Sequence, residues 1–257
     1  MSAANILAQS FKALHRRAGK PVIIANIYDF LSAKTVASLP SAEAIGTASF
    51  AIARASGTSD DDLTLEQNLA VTEPISRAAK EAKKPLTVDI QDGYGNRLEE
   101  AIGKLLDFGV SGINLEDYDN ETKRQIDIGT AVDRIRRTLK VARERDVPDF
   151  VVNARIDTLV LGGTLEDVLV RGKKYLEAGA NTVFVWGASR GVSKEEVQAM
   201  VKDFDGRLNV LLKIGDGGLT IPELANLGVA RISIGPTLQF TAMSGLQKQA
   251  EELLTAI

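Results

Sequence analysis

Eight short apolar, β-rich runs alternate with helical patterns along nearly the whole chain. They lie at 21–29, 42–50, 85–92, 111–117, 150–157, 181–187, 208–215 and 230–236. Helical periodicity fills the intervals near 30–39, 64–82, 97–109, 128–145, 164–178, 193–203 and 221–227, and a last helix runs to about 255. Near-continuous apolar strands separated by amphipathic helices are the mark of a parallel sheet covered by helices. Eight such units in 257 residues match one (β/α)₈ TIM barrel, class α/β, spanning 1–257 as a single domain. A doubly wound open sheet is the alternative, and it usually has fewer strands. Before the first run, Ile6, Leu7, Phe11 and Leu14 mark one face of a helix that would cover the barrel's base.

The chain carries a net charge of −3 and a sequence pI near 5.4, which gives no electrostatic support for nucleic acid or an anionic membrane as partner. No apolar stretch approaches the length of a membrane span. The absence of cysteine excludes disulfides, thiolate metal sites and a cysteine nucleophile. His15 is the one histidine, it lies in the N-terminal helix, and a structural role is expected of it. The first 28 residues hold bases (Lys12, Arg16, Arg17, Lys20) and no acid. A cytoplasmic location is expected, and that composition leaves organellar targeting open.

A barrel of this class builds its active site at the C-terminal ends of its strands. The polar residues expected there are Tyr28 and Asp29, Thr47 and Ser49, Asp89, Gln91 and Asp92, Glu116 and Asp117, Asn153, Arg155 and Asp157, Trp186, Lys213 and Ser233. Of these, Asp89, Gln91, Glu116, Asn153 and Arg155 should converge on one cavity. Several buried carboxylates without partners would be very unfavourable. A divalent cation offsets that penalty, and oxygen donors without His or Cys favour Mg²⁺ or Mn²⁺ over zinc. Asp89, Gln91, Glu116 and Asn153 are the oxygen donors there, and the metal site is expected among them. Arg155 offers a fork for a substrate carboxylate or phosphate. A purely structural network of acids and arginines is the competing reading. Tyr28, Thr47, Ser49, Asn153, Trp186 and Lys213 complete the expected substrate-binding set.

At these residues the chain resembles the phosphoenolpyruvate mutase/isocitrate lyase superfamily. "GKPVIIANIYDFLSAKTVA" (19–37), "AIGTASFAIA" (44–53), "VDIQDGYGN" (88–96), "GINLED" (112–117), "NARID" (153–157) and "LANLGVARISIGP" (224–236) are similar to its segments and stand in the same order. The resemblance implies a Mg²⁺-dependent barrel that acts on a small 2-oxo acid through an enolate. It implies that Asp89 and Glu116 serve the metal, that Arg155 meets the substrate carboxylate, that Thr47 donates to substrate, and that Asp60 is an acid of a gating loop. Asp60, Asp92 and Arg155 are the expected catalytic side chains. The resemblance also implies a homo-oligomer, a dimer or tetramer, with exchange of the C-terminal helix possible over 245–257.

The chain departs from that pattern at telling places. Gln91 stands where the signature has a second aspartate, so metal affinity should be lower unless Asp92 swings in. The region 118–127 has no cysteine or histidine to act as a lyase acid, and Asn120 and Thr122 only loosely echo the mutases. Trp186 replaces the usual acid after the sixth run. The preferred expectation is C–C cleavage in a small 2-oxo or 2-hydroxy acid, with oxaloacetate the simplest case. The alternatives are P–C chemistry on a phosphonopyruvate-type substrate, a Schiff-base aldolase built on Lys213, and a ligand-binding barrel without activity. Lys213 also has plainer readings, as an outward side chain or a partner of Glu116 or Asp216.

Other features read plainly. "SDDD" (59–62) is a solvated loop that could act as a lid, and "GDGG" (215–218) and "SIGP" (233–236) are phosphate-binding loops or tight turns. "DRIRRTLKVARER" (133–145) is the exposed face of a helix.

Overall fold

The computed structural model describes residues 2–215 and 217–256. Eight parallel strands close into a barrel: β1 (Val22–Ile27), β2 (Ile45–Thr47), β3 (Leu86–Asp89), β4 (Gly112–Glu116), β7 (Val151–Ile156), β8 (Thr182–Val185), β9 (Leu208–Leu211) and β10 (Arg231–Ser233). Their order around the barrel is β1-β10-β9-β8-β7-β4-β3-β2, so successive barrel strands pair with each other and the pairing of β1 with β10 closes the ring. Each barrel strand falls inside one of the eight runs read from the sequence.

Helices follow the strands as the periodicity requires. α2 (Phe30–Ala37), α4 (Leu65–Glu81), α5 (Leu98–Asp107), α6 (Ile128–Glu144), α7 (Leu165–Glu177), α8 (Lys194–Asp203), α9 (Ile221–Leu227) and α10 (Thr237–Leu254) match the expected segments. Their starts are fixed locally. Asp29, Thr64, Thr164, Ser193 and Thr220 each close a reciprocal capping box, satisfying backbone N–H groups that have no partner inside the helix.

Two elements differ from expectation. The second run was expected to stay extended to residue 50, but a helix α3 (Ser49–Ala55) begins two residues after β2 ends. The expected polar loop after β4 contains a small antiparallel hairpin, β5 (Tyr118–Asp119) with β6 (Arg124–Gln125). Asp119 organises its turn by accepting from the backbone N–H groups of Glu121 and Thr122.

The N-terminal helix α1 (Ala3–Leu14) does cover the barrel's base, but with a different face. Asn5, Ala8 and Phe11 are buried, whereas Ile6 is 55% exposed. Phe11 packs with Val22, Ile24, Ala44 and Val151 and plugs the lower end of the lumen. Gly112 makes that plug possible, because a side chain there would meet the Val151 carbonyl oxygen at 2.5 Å and the Phe11 ring at 3.2 Å. His15 closes α1, buried, with Nδ1 hydrogen-bonded to the Phe11 carbonyl at 2.8 Å. That is the structural place expected of it.

Candidate active site

Strand periodicity sets the site. In β4, Gly112, Asn114 and Glu116 alternate inward, and in β7 so do Val151, Asn153 and Arg155. The β4–β7 register pairs Gly112 with Val151, Asn114 with Asn153 and Glu116 with Arg155. Asp89 ends β3 opposite Asn114. A polar layer of Asp89, Asn114 and Asn153 thus lies one step below Glu116 and Arg155.

Hydrogen bonds link the lower layer across four strands. Asn114 Nδ2 donates to Asp89 Oδ1 at 3.0 Å, Asn153 Nδ2 to Asn114 Oδ1 at 2.8 Å, and Thr182 Oγ1 to Asn153 Oδ1 at 2.6 Å. The other Asp89 oxygen accepts from the Ser49 backbone N–H at 3.0 Å. Asp89 itself donates its backbone N–H to Thr47 Oγ1 at 2.9 Å. The early start of α3 is what brings the Ser49 N–H to the carboxylate.

This arrangement corrects one expectation. Asn153 is 0% exposed, with its amide committed to Asn114 and Thr182, so it supports the site from below rather than meeting substrate. Asn114 was not singled out from sequence, although its inward parity two residues before Glu116 would have revealed it. Thr47 is buried, and its hydroxyl oxygen accepts the Asp89 backbone N–H, so it braces Asp89 with its own O–H left to donate.

Above, Arg155 is already engaged. Its Nε and one terminal nitrogen form a fork on Asp157 at 2.7 and 2.9 Å, and NH1 donates to Glu116 at 2.7 Å. The Trp186 ring stacks 4.1 Å from the guanidinium, with Phe184 at 5.9 Å. Arg155 was expected to present an open fork, and the structure instead gives the side fork to Asp157, a residue whose role the sequence left undefined. Asp157 is aimed by Asp117, whose Oδ1 accepts the Asp157 backbone N–H at 2.9 Å. Asp117 also accepts from Tyr175 and Gln125, so it serves the framework below the mouth.

The charges do not balance. Asp89, Asp157 and Asp60 all lie close enough to Glu116 to oppose its ionisation. Burial first, then Asp89, Asp157 and Asp60, push Glu116 well above the ordinary carboxylate range, although Arg155 opposes them. Asp60 is raised to about 6, by burial first and Asp89 second.

Gln91 and Asp92 each take partners other than the metal position expected of the signature's second acid. Gln91 is buried and directs its side-chain nitrogen to Asp60. Asp92 does not swing toward Asp89. Its oxygens accept from the backbone N–H groups of Tyr94 and Asn120 at 2.9 and 3.3 Å, and Arg134 binds its carbonyl. It fixes the glycine–tyrosine–glycine turn against the hairpin. Tyr94 occupies the left-handed region at φ 60° between two glycines that also have positive φ, which explains the loosened backbone. Beside it lies an open cavity of about 500 Å³ bordered by Gln91, Asp92, Tyr94 and Asn120.

Two expected residues lie to the sides. Tyr28 packs with Ala48, Ile52 and Leu63 beneath the loop bearing Asp60. Lys213 lines a cavity of about 30 Å³ with Arg190, Gly191, Leu219 and Leu224, between the loops after β8 and β9. Asp216, its conceivable partner, lies outside the described residues.

The residues present fit a Mg²⁺ ion. Among the described residues no three acids and histidines come together as a ready-made metal cage. Mg²⁺ does not require one, because it keeps several waters and is held through one or two carboxylates. Asp89 and Glu116 would supply those, and a cation there would offset the like charges that push the Glu116 carboxyl up.

Comparison with known proteins agrees with this architecture. The family model described as phosphoenolpyruvate phosphomutase matches residues 11–254. A crystal structure of a candidate phosphonomutase from Burkholderia cenocepacia J2315 superimposes with a TM-score of 0.87 at 32% identity, covering 97% of this chain and 99% of that one. An uncharacterised protein of Mycobacterium tuberculosis strain H37Rv is 31% identical over 229 residues, 88% of this chain and 81% of its own length. The 2,3-dimethylmalate lyase of Eubacterium barkeri is 28% identical over 183 residues, 68% of this chain and 61% of the relative. With matching segments spread over almost its whole length, the chain belongs to the phosphoenolpyruvate phosphomutase family, within the phosphoenolpyruvate mutase/isocitrate lyase superfamily, whose members are enzymes.

Proposed function

We propose that the protein is a Mg²⁺-dependent (or Mn²⁺-dependent) enzyme that cleaves a C–C bond in a small 2-oxo or 2-hydroxy carboxylic acid. The observation that carries this reading is the concentration of Asp60, Asp89, Glu116 and Asp157 around one arginine at the barrel mouth. Asp89 and Glu116 would hold the cation, with Gln91 reaching it at most through its side-chain oxygen. Bound there, Mg²⁺ would polarise the 2-oxo carboxylate and stabilise the enolate left by bond cleavage.

The chain's own residues supply the rest. Arg155 has five N–H donors and three are committed, so two are left for a substrate carboxylate. Trp186 covers one face of the guanidinium, which obliges that carboxylate to approach in its plane. Asp60, with a pKa near 6, is the side chain suited to deliver a proton to the enolate carbon near neutral pH. It takes the part of the acid missing from the 118–127 loop. Oxaloacetate is the simplest substrate that meets these demands, and the relative named as a 2,3-dimethylmalate lyase supports a C–C bond in a short di-acid.

The likeness to a candidate phosphonomutase favours a second reading, P–C chemistry on a phosphonopyruvate-type acid. The Lys213 Schiff-base reading loses support, because Lys213 lines a separate small cavity. The test is a panel of C3 to C6 oxo and hydroxy acids, with phosphonopyruvate included and followed by ³¹P NMR, each with Mg²⁺ and with EDTA. Metal-dependent loss of a carbon acid supports the proposal, phosphorus turnover alone selects the second reading, and no turnover of any acid rejects both.

Homo-oligomerisation belongs to the same proposal. α10 leaves Phe240, Met243, Leu246, Leu253 and Leu254 exposed, a hydrophobic set that a dimer or tetramer would cover.

A further inference from the structure

Gln91 holds the left-handed conformation, φ 51°, outside a glycine's usual licence. Its side-chain nitrogen donates twice to one residue, to the Asp60 carbonyl at 2.6 Å and to Asp60 Oδ1 at 3.1 Å. Both partner atoms are acceptors, so the amide must present its nitrogen to them. The Gln91 carbonyl meanwhile accepts from the Glu116 N–H at 2.8 Å. One residue therefore joins the ends of β3 and β4 to the loop over 56–63. That loop carries three consecutive acids, Asp60, Asp61 and Asp62. A second tie lies at its rim, where Lys123 of the hairpin pairs with Asp61 at 2.7 Å. Leu63 anchors its end among Tyr28 and Ile52.

We propose that Gln91 is a latch: it closes the Asp60 loop over the barrel mouth without needing a cation, and so acts as the positioning residue for Asp60. An aspartate at this position has no N–H to donate, and it would set a further negative charge against Asp60 and Asp89. Such a loop would close only with a cation between the carboxylates. The amide exchanges a cation-dependent closure for a permanent one. The importance of Asp60 in turnover rests on the function proposed above, but the latch itself does not.

Hydrogen–deuterium exchange of the full-length protein reads this directly, through the amides of Thr58, Asp62 and Leu63, which are bonded to Ala53, Ser59 and Asp60. In the wild type, exchange in this loop should be slow and equal in EDTA and in saturating Mg²⁺. Gln91→Leu should raise it about 10- to 30-fold in both conditions, the effect of two lost hydrogen bonds. Gln91→Asp should raise it as much in EDTA and recover protection with Mg²⁺, a response that mere loss of packing does not give. Unchanged exchange of the β4 and β7 amides in both variants establishes that they fold. Wild-type exchange as fast as Gln91→Leu, or wild-type protection that appears only with Mg²⁺, overturns the latch. Either result leaves Mg²⁺-dependent substrate turnover, measured separately, to decide the catalytic reading.

Discussion

Replacing Asp60 with asparagine should stabilise the protein, and the gain should depend on pH. In the folded mouth, burial and then Asp89 raise this carboxyl from 3.8 to about 6, and in the unfolded chain it returns to its ordinary value. Above pH 6 the group is ionised in both states, so the folded state bears the full penalty. Between pH 6 and 3.8 the folded carboxyl takes up a proton and the penalty fades, and below 3.8 it is gone. Linkage makes the gap worth about 3 kcal/mol at pH 8 and about 1 kcal/mol at pH 4.5. Asparagine keeps the shape and an oxygen acceptor for Gln91 while removing the charge. For a domain of this size, ~3 kcal/mol is roughly 6–12 °C in Tm. Scanning calorimetry of Asp60→Asn against wild type in EDTA at the two pH values reads both numbers. No gain at pH 8, or the same gain at both pH values, would refute the view that Asp60 is held against its electrostatic preference.

Three further outcomes are expected. His15 is held neutral, its pKa lowered from 6.5 to about 3 by burial and then by Arg231; the stability it allows is complete above pH 6.5 and declines as pH falls toward 3, by about 2 kcal/mol at pH 5. His15→Leu should flatten that decline in denaturant titrations between pH 7 and 5. Gly112→Ala places a methyl 2.5 Å from the Val151 carbonyl oxygen, a backbone atom that cannot step aside; overpacking of this kind should destabilise by about 1–3 kcal/mol, read as a Tm several degrees lower. Arg155→Lys keeps the charge but loses the fork on Asp157, and it should weaken Mg²⁺-dependent oxalate binding by about 10- to 100-fold in calorimetry.

The barrel was legible because its strands are buried on both faces and read as apolar runs, while polar caps such as Thr64 and Thr220 punctuate the helices. Asp89, Glu116 and Arg155 were legible because they end three adjacent strands. Pairing was not. Arg155 looks open in sequence, yet Asp157 lies two residues further on, close enough to take its side fork. Asn153 looks like a ligand residue until the register sets it one layer below Arg155, bound to Asn114. Gln91 looks like a weakened metal ligand, and only the fold of the 56–63 loop brings Asp60 to its amide. The hairpin at 118–125 is held by Asp119, a local turn inside a stretch whose polarity reads as loop. For Asn153 and Gln91 a contact across the chain decides the role, and for Arg155 and the hairpin a local contact does that residue type alone does not reveal.

The central claim is a cation-dependent site that stabilises an enolate. Oxalate mimics that species, so titrating it calorimetrically into the protein, with Mg²⁺ and with EDTA, tests the claim most directly. The account predicts oxalate binding that requires Mg²⁺ and disappears in Asp89→Ala, while that variant still folds. Oxalate binding of equal strength in EDTA, or no binding of either Mg²⁺ or oxalate, would contradict it and leave a barrel whose acids serve only structure.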